Sequence, residues 1–414
     1  MGLSAQLVTI IILGTLVGGF LLNLVADALN IRHLQTVPPD EFKDLCNPEQ
    51  YRKSQNYLKE NTGFGLITAV FDLLVLLVFW FMKGFSYLDT IARSFELNPA
   101  FTGLIYIGLL LLLKLIIGIP FSLWSTFVIE ERYGFNKTTI RTFLLDLVKT
   151  ILLSALLGGV FLYAILSLLA HGGPFAWIWC WTAGTLFLFA VQYIVPTWIM
   201  PLFNRFTPLE EGPLRHALMT YARSIDFPLT HIFVMDGSKR STKANAFFTG
   251  FGKNKRIVLF DTLIKDHDVD ELVAVLAHEM GHFKKKHIMK RMLLSILQMG
   301  MIFWLMSICI SFEGLFTAFY MEQPSIYAGL IFFGMLYTPV DLFLSMFMQI
   351  LSRHDEFEAD TFAATTSHKG EALITALKKL SVSNLSNLTP HPFYVFLHYS
   401  HPPVMDRIEA IRDT

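Results

Sequence analysis

Charge is scarce in this sequence. Asp, Glu, Lys and Arg make up 16% of the 414 residues, against roughly a quarter in ordinary globular domains. Hydrophobic residues reach 53%, and 38 positions are phenylalanine. That composition excludes an ordinary water-soluble fold and points to a polytopic membrane protein. Neither sign of charge prevails, because 33 basic and 33 acidic residues cancel, so the electrostatic case for a nucleic-acid partner is missing. Cysteine is nearly absent: Cys46, Cys180 and Cys309 lie far apart, two of them in apolar runs. This excludes a disulfide framework and a thiolate metal site. Internal repeats and low-complexity stretches are also absent.

What is present in abundance is the long apolar run. Stretches of about 20 residues fall at 5–28, 64–82, 101–124, 147–170, 174–198, 290–312 and 326–350, which predicts seven membrane helices. The first run has no basic start and no small-residue cleavage site, so it reads as a retained span. Lys and Arg collect in the first and third loops, in 199–289 and in the tail, whereas 171–173 and 313–325 have neither. The positive-inside rule then places the odd loops and the tail in the cytoplasm. Four parts are expected: five N-terminal membrane helices in 1–198, a soluble insert at 199–289, a membrane hairpin at 290–350 and a helical tail at 351–414. Together the insert and the tail are long enough for one small soluble domain.

In the insert, "HIFVMD" (231–236), "ANAFFTGFG" (244–252) and "RIVLFD" (256–261) are rich in β-branched and aromatic residues. They read as a small antiparallel sheet, with "GKNK" turning the second strand into the third. In "DHDVDELVAVLAHEMGHF", Asp268 followed by Glu271 resembles a capping box, and the apolar residues after it keep helical spacing. His278 and His282 therefore share one helix face, the spacing at which two histidines bind one zinc ion, with Glu279 beside them to polarise a bound water. Gly281 costs about 1 kcal/mol relative to alanine inside a helix, which makes sense where a second helix packs close.

Catalytic zinc usually takes three protein ligands. "SRHDEFEADTFAATT" (352–366) offers Glu356 and Asp360 four apart on one face, with Ala359, Ala363 and Ala364 keeping that helix slim. Glu356 is the candidate third ligand, and Asp360 the candidate acceptor for the ring N–H of a ligating histidine. Alone, this stretch reads slightly better as a charged surface helix with salt bridges to Arg353; beside the histidine pair, the metal reading prevails. His287 and Lys284 to Lys286 lie where the chain re-enters the bilayer and read as interface anchors. Asp72, Lys114 and Asp341 fall inside expected spans, where charge is costly unless it faces a wet interior or a partner helix.

HExxH, a membrane hairpin and then ExxAD resemble the type I CAAX prenyl proteases, integral-membrane zinc metalloendopeptidases of the gluzincin type. "FVIEERYGFNKTT" (127–139), "PTWIMPLFNRFTPLEEGPL" (196–214), "ANAFFTGFGKNKRIVLFDTL" (244–263) and "HPPVMDRI" (401–408) are similar to segments of that family. The resemblance implies zinc on His278, His282 and Glu356, with Glu279 as general base and then acid. It also implies that Asn245 and His401 serve catalysis by binding substrate or stabilising the oxyanion, with Arg407 at the substrate. The implied fold is seven helices around a large water-filled chamber, with a small α+β metalloprotease domain. A strand at 244–249 with one free edge would suit an extended peptide.

The expected partners are the lipid bilayer and a peptide or protein substrate, prenylated or membrane-derived. Eukaryotic members trim prenylated CAAX tails, whereas bacterial members clear damaged or stalled membrane proteins, so quality control is the alternative activity. The terminal "AIRDT" has no lysine-based retrieval signal, which tilts the expectation to a bacterial inner membrane over the endoplasmic reticulum. From another class, a channel or transporter gated by the insert would use the same spans and buried charges but bind no stoichiometric zinc. A metalloprotein without peptidase activity would bind zinc and cut nothing.

Overall fold

Seven helices in the structure, a computed structural model that describes residues 4–229, 231–249 and 256–414, are long and apolar enough to cross a membrane. They are α1 (Ala5–Arg32), α2 (Pro48–Phe81), α3 (Pro99–Glu130), α4 (Ile140–His171), α5 (Gly173–Phe203), α7 (His287–Cys309) and α8 (Ile326–Ser367); α6, between α5 and α7, is the HExxH helix Val269–Lys284. Each apolar run of the sequence falls on one of them, with only residue 82 and residues 310–312 lying past a helix end. The helices also run past those apolar stretches. α2 begins sixteen residues before its apolar run at 64, and α8 continues beyond residue 350 without a break to carry Glu356 and Asp360. The expected junction at 350/351 therefore falls inside one rigid rod, and the last span delivers the second half of the site directly.

The insert holds a four-stranded sheet of β1 (Phe206–Pro208), β2 (His231–Met235), β3 (Ala246–Thr249) and β4 (Arg256–Phe260), in the order β1-β2-β4-β3. β3 and β4 are antiparallel, with Phe247 opposite Val258, and the segment "GKNK" between them lies outside the described residues. The expectation of a wholly antiparallel sheet needs correction, because β2 and β4 pair in parallel, His231 opposite Arg256 and Met235 opposite Phe260. The reason is burial. Ile257, Val258 and Leu259 are three consecutive buried apolar residues, the pattern of a strand covered on both faces. β4 takes the centre, and β3 is left at the edge. β1 is only three residues long and gives no readable alternation.

α6 fills the middle of the protease half. Its N-terminus carries the capping box read from the sequence: the Asp268 side chain accepts from the Glu271 N–H, and the Glu271 side chain accepts from the Asp268 N–H. Leu272 to Ala277 are all buried, in a core shared with Ile257 and Leu259 of the sheet and Leu373 and Ile374 of α9 (Gly370–Ser383). α6 also packs against α8 at Gly281. A β-carbon there would lie 3.2 Å from both the Ala359 Cα and the Ala359 carbonyl oxygen, so the close helix crossing inferred from this glycine is present. A separate apolar core, built around Trp80, Phe319 and Phe332, closes the far end of the membrane bundle.

Candidate active site

His278 and His282 project from one face of α6 toward α8, and their Nε2 atoms are 3.1 Å apart. Glu356, on α8, brings Oε2 to 3.4 Å from His278 Nε2 and Oε1 to 3.3 Å from His282 Nε2. Three ligand atoms from two helices thus converge, all within 4.8 Å of one another. Glu356 is 2% exposed, and its Oε2 accepts no hydrogen bond, which is an expensive state for a buried carboxylate oxygen. Bonds of about 2.0–2.1 Å to a tetrahedral zinc put ligand atoms roughly 3.3 Å apart. The observed separations match that spacing, so this donor set fits a metal ion.

The orientation of His278 is fixed from behind. Its Nδ1 lies 2.8 Å from Asp360 Oδ1, and Asp360 in turn accepts from Arg407 Nε and Nη2, both at 2.7 Å. Arg407 comes from α10 (Val404–Arg412). Its fork is thus bound to Asp360, while Nη1 lies 3.9 Å from Glu356. This gives Arg407 an orienting position beside any contact it makes with substrate. Glu279 faces the same space and makes no ion pair or hydrogen bond among the described residues. Burial pushes its carboxyl above the ordinary carboxylate range, with the nearby histidines opposing the shift. A carboxyl whose proton affinity is raised in this way is a better proton acceptor than an ordinary carboxylate.

A cavity of about 460 Å³ gathers the rest: Asn245, Phe247, Phe248, His401 and Arg407 line it together with His278, Glu279, His282 and Glu356. Asn245 is exposed, and its carbonyl accepts from the Phe260 N–H where β3 begins. His401 is also exposed, with Nε2 3.4 Å from Glu356 Oε1. Of the site residues read from the sequence, all but Asp360, which lies behind His278, line this cavity, and β3, the edge strand among the described residues, contributes Ala246 to Phe248 to it.

One residue departs from its sequence reading. His287 was expected to anchor the chain at the bilayer interface, yet it is 1% exposed and its Nδ1 lies 3.0 Å from Nδ1 of His282. Five positions along a continuous helix would place it about 140° around from His282. The contact exists because Lys286, at φ 60° and ψ 28°, breaks the helix between α6 and α7. The only sequence signal was a third histidine close behind the motif.

The chain matches family models over nearly its whole length: residues 27–205 match the CAAX prenyl protease N-terminal region of five membrane helices, and residues 208–414 match peptidase family M48. It is 38% identical to the CAAX prenyl protease 1 homolog of Oryza sativa subsp. japonica, covering 91% of this chain and 90% of that protein. It is 36% identical to CAAX prenyl protease 1 of Saccharomyces cerevisiae, covering 91% and 89%. The crystal structure of S. mikatae Ste24p superposes with a TM-score of 0.92 at 31% identity, over 98% of this chain and 99% of that one. A convergent metal-ligand set inside a seven-helix membrane protein and these full-length matches agree: the chain belongs to the CAAX prenyl proteases of peptidase family M48, and is a multi-pass membrane metalloendopeptidase.

Proposed function

We propose that the metal is zinc, held by His278, His282 and Glu356, and that the substrate is the C-terminal tail of a prenylated CAAX peptide. The observation that carries the metal assignment is the buried Glu356 carboxylate, whose unsatisfied Oε2 lies 3.4 Å from His278 Nε2 while its Oε1 lies 3.3 Å from His282 Nε2. When bound, the ion would supply Lewis acidity to water and to the scissile carbonyl. Glu279 takes a proton from the attacking water and returns it to the leaving nitrogen. Asp360, braced by Arg407, keeps His278 oriented. His401 and Asn245 line the same cavity, where they can donate to the developing oxyanion or hold the peptide. The free edge of β3 binds the extended peptide by main-chain hydrogen bonds, and Phe247 and Phe248 offer it apolar contact.

The relatives named for CAAX processing favour this substrate over membrane-protein quality control. They come from a plant and a yeast, so the tilt toward a bacterial inner membrane gains no support. The cytoplasmic placement of the protease half rests on the loop charge asymmetry, with Lys284, Lys285 and Lys286 exposed at the base of α7.

The test compares a farnesylated CAAX peptide with its unprenylated twin, using purified protein in detergent and metal analysis of the same sample. One zinc per chain and a much higher kcat/KM for the farnesylated peptide are expected. Equal rates on both peptides would move the assignment to general quality control, and absence of stoichiometric zinc would remove the metal assignment.

A further inference from the structure

The two histidine ligands are supported differently. His278 is backed directly by the Asp360 carboxylate. His282 is backed by another imidazole, that of His287, whose Nε2 lies 2.9 Å from Glu358 Oε2 and 3.6 Å from Asp355 Oδ1. Asp355 is fully buried, with Oδ2 3.3 Å from Arg291 Nε, and Lys290 Nζ stands 3.8 Å from Glu358 and 3.9 Å from Asp355. Behind the second ligand there is thus a line of side chains from His282 through His287 to a carboxylate.

We propose that His287 is a positioning residue for the metal site, accepting the Nδ1–H of His282 and donating its own Nε2–H to Glu358. The proposal rests on His282 being a metal ligand, and the rest follows from where protons can sit. A neutral imidazole has one N–H and one lone pair. The Nε2 of His282 turns toward His278 and Glu356, so as a ligand it needs its lone pair there and its proton on Nδ1. Two nitrogens 3.0 Å apart share one proton, so the facing Nδ1 of His287 is an acceptor. Its proton then sits on Nε2, where Glu358 receives it. A histidine ligand ordinarily has this kind of partner for its free N–H, which fixes its tautomer and raises its basicity; here the carboxylate acts through one intervening ring.

The same geometry decides against a rival. His287, Asp355 and Glu358 also converge closely enough to hold a metal. That would require a lone pair on His287 Nε2 and a proton on its Nδ1, leaving His282 with its proton on Nε2 and unable to bind. Lys290 and Arg291, which contact the same two carboxylates, oppose a further cation. One metal and a relay are compatible; two metals are not. The backbone is built for the relay as well. A non-glycine residue in the left-handed region costs roughly 1 kcal/mol or more, and Lys286 accepts that strain where it turns His287 onto His282.

The test uses the full-length protein in detergent, with zinc affinity measured by chelator competition and cobalt(II) as a spectroscopic substitute. His287→Leu removes the acceptor, His287→Gln keeps one, and Glu358→Gln weakens the end of the relay. The leucine variant is expected to bind zinc ~10–100-fold more weakly and to shift the visible bands of the cobalt form. The glutamine variant should recover most of the loss. Glu358→Gln should weaken binding in the wild-type background and have no further effect in His287→Leu, because the two act in series. Wild-type affinity and cobalt spectrum in both His287→Leu and Glu358→Gln would overturn the relay, as would two metals per chain with one lost in His287→Leu. His282→Ala separates the layers. If it alone loses zinc, the relay fails and the ligand assignment stands; if it binds zinc normally, the ligand assignment fails and takes the relay with it.

Discussion

Glu279 and Glu356 are both glutamates in one cavity, and their surroundings give them different work. Glu356 is enclosed by His278, His282 and His401, whereas Glu279 lacks an ion-pair partner among the described residues and is driven by burial toward its protonated form. Glu279→Gln is therefore expected to keep zinc and to lose ~10²–10⁴-fold in kcat; turnover within a few-fold of wild type, with metal content unchanged, would remove the proton-transfer role. Glu356→Ala should act in the opposite way and weaken zinc binding by more than the ~100-fold that loss of a supporting residue costs. An unaltered affinity would send the search for a third ligand elsewhere. Asp360 is engaged with His278 Nδ1 and Arg407, and Glu358 lies with His287, so neither is free to replace it without rearrangement. These ligands were legible in the sequence because four-residue spacing on a helix determines a shared face. His287 was not, since its position depends on one left-handed residue, Lys286, and no periodicity announces that conformation.

The crossing of α6 and α8 makes the site, because one helix brings two of the proposed ligands and the other brings the third. Gly281 sets how closely they approach. In an exposed helix, Gly→Ala would stabilise by about 1 kcal/mol. Here the added carbon would meet Ala359 backbone atoms at 3.2 Å, atoms that cannot rotate away. Gly281→Ala is expected to lower the melting temperature and weaken zinc binding together, and Gly281→Val to do both more severely. A stabilised alanine variant with normal zinc affinity would show that the crossing has slack. The helices themselves could be read from apolar runs and the Asp268 capping box. The sheet order could not, because strands next to each other in sequence suggest hairpins, and only the three-residue buried run of β4 hints that it would move to the centre beside β2.

The whole molecule must hold a water-using site against a membrane bundle, and the first loop provides one fastening. Glu41 accepts from Lys378 on α9 at 2.6 Å and from Arg412 on α10 at 2.5 and 2.9 Å. Hydrogen bonds from Arg412 and then Lys378 hold its carboxyl down at about 2, against an ordinary 4.5. A lowered folded-state value means that the contribution is fully present above the ordinary value and lost as pH falls from about 4.5 toward 2. These side chains are partly exposed, so solvent screening keeps the contribution small. Glu41→Gln should thus melt earlier than wild type above pH 5, with the gap closing on acidification; a gap independent of pH would assign the effect to packing.

The second demand on the whole molecule is water inside the bilayer. Asp72, Lys114 and Asp341 lie on membrane-length helices, are exposed on the protein's own surface and have no ion-pair partner among the described residues. Facing hydrocarbon, each would cost ~2.5–3.5 kcal/mol; facing a wet interior, almost nothing. Asp72 lines a cavity of about 300 Å³ between α1 and α2, where Asn23 and Asp27 join it among mainly apolar side chains. Cysteines placed singly at the three positions, in a background lacking Cys46, Cys180 and Cys309, should react with a small water-soluble thiol reagent in the folded protein. A protein-sized reagent should not reach them, since an interior that admits an unfolded peptide and water excludes a globule. If all three stay inert while a control cysteine in the exposed tail reacts, these faces are dry, and substrate and water must reach Glu279 from outside the membrane bundle.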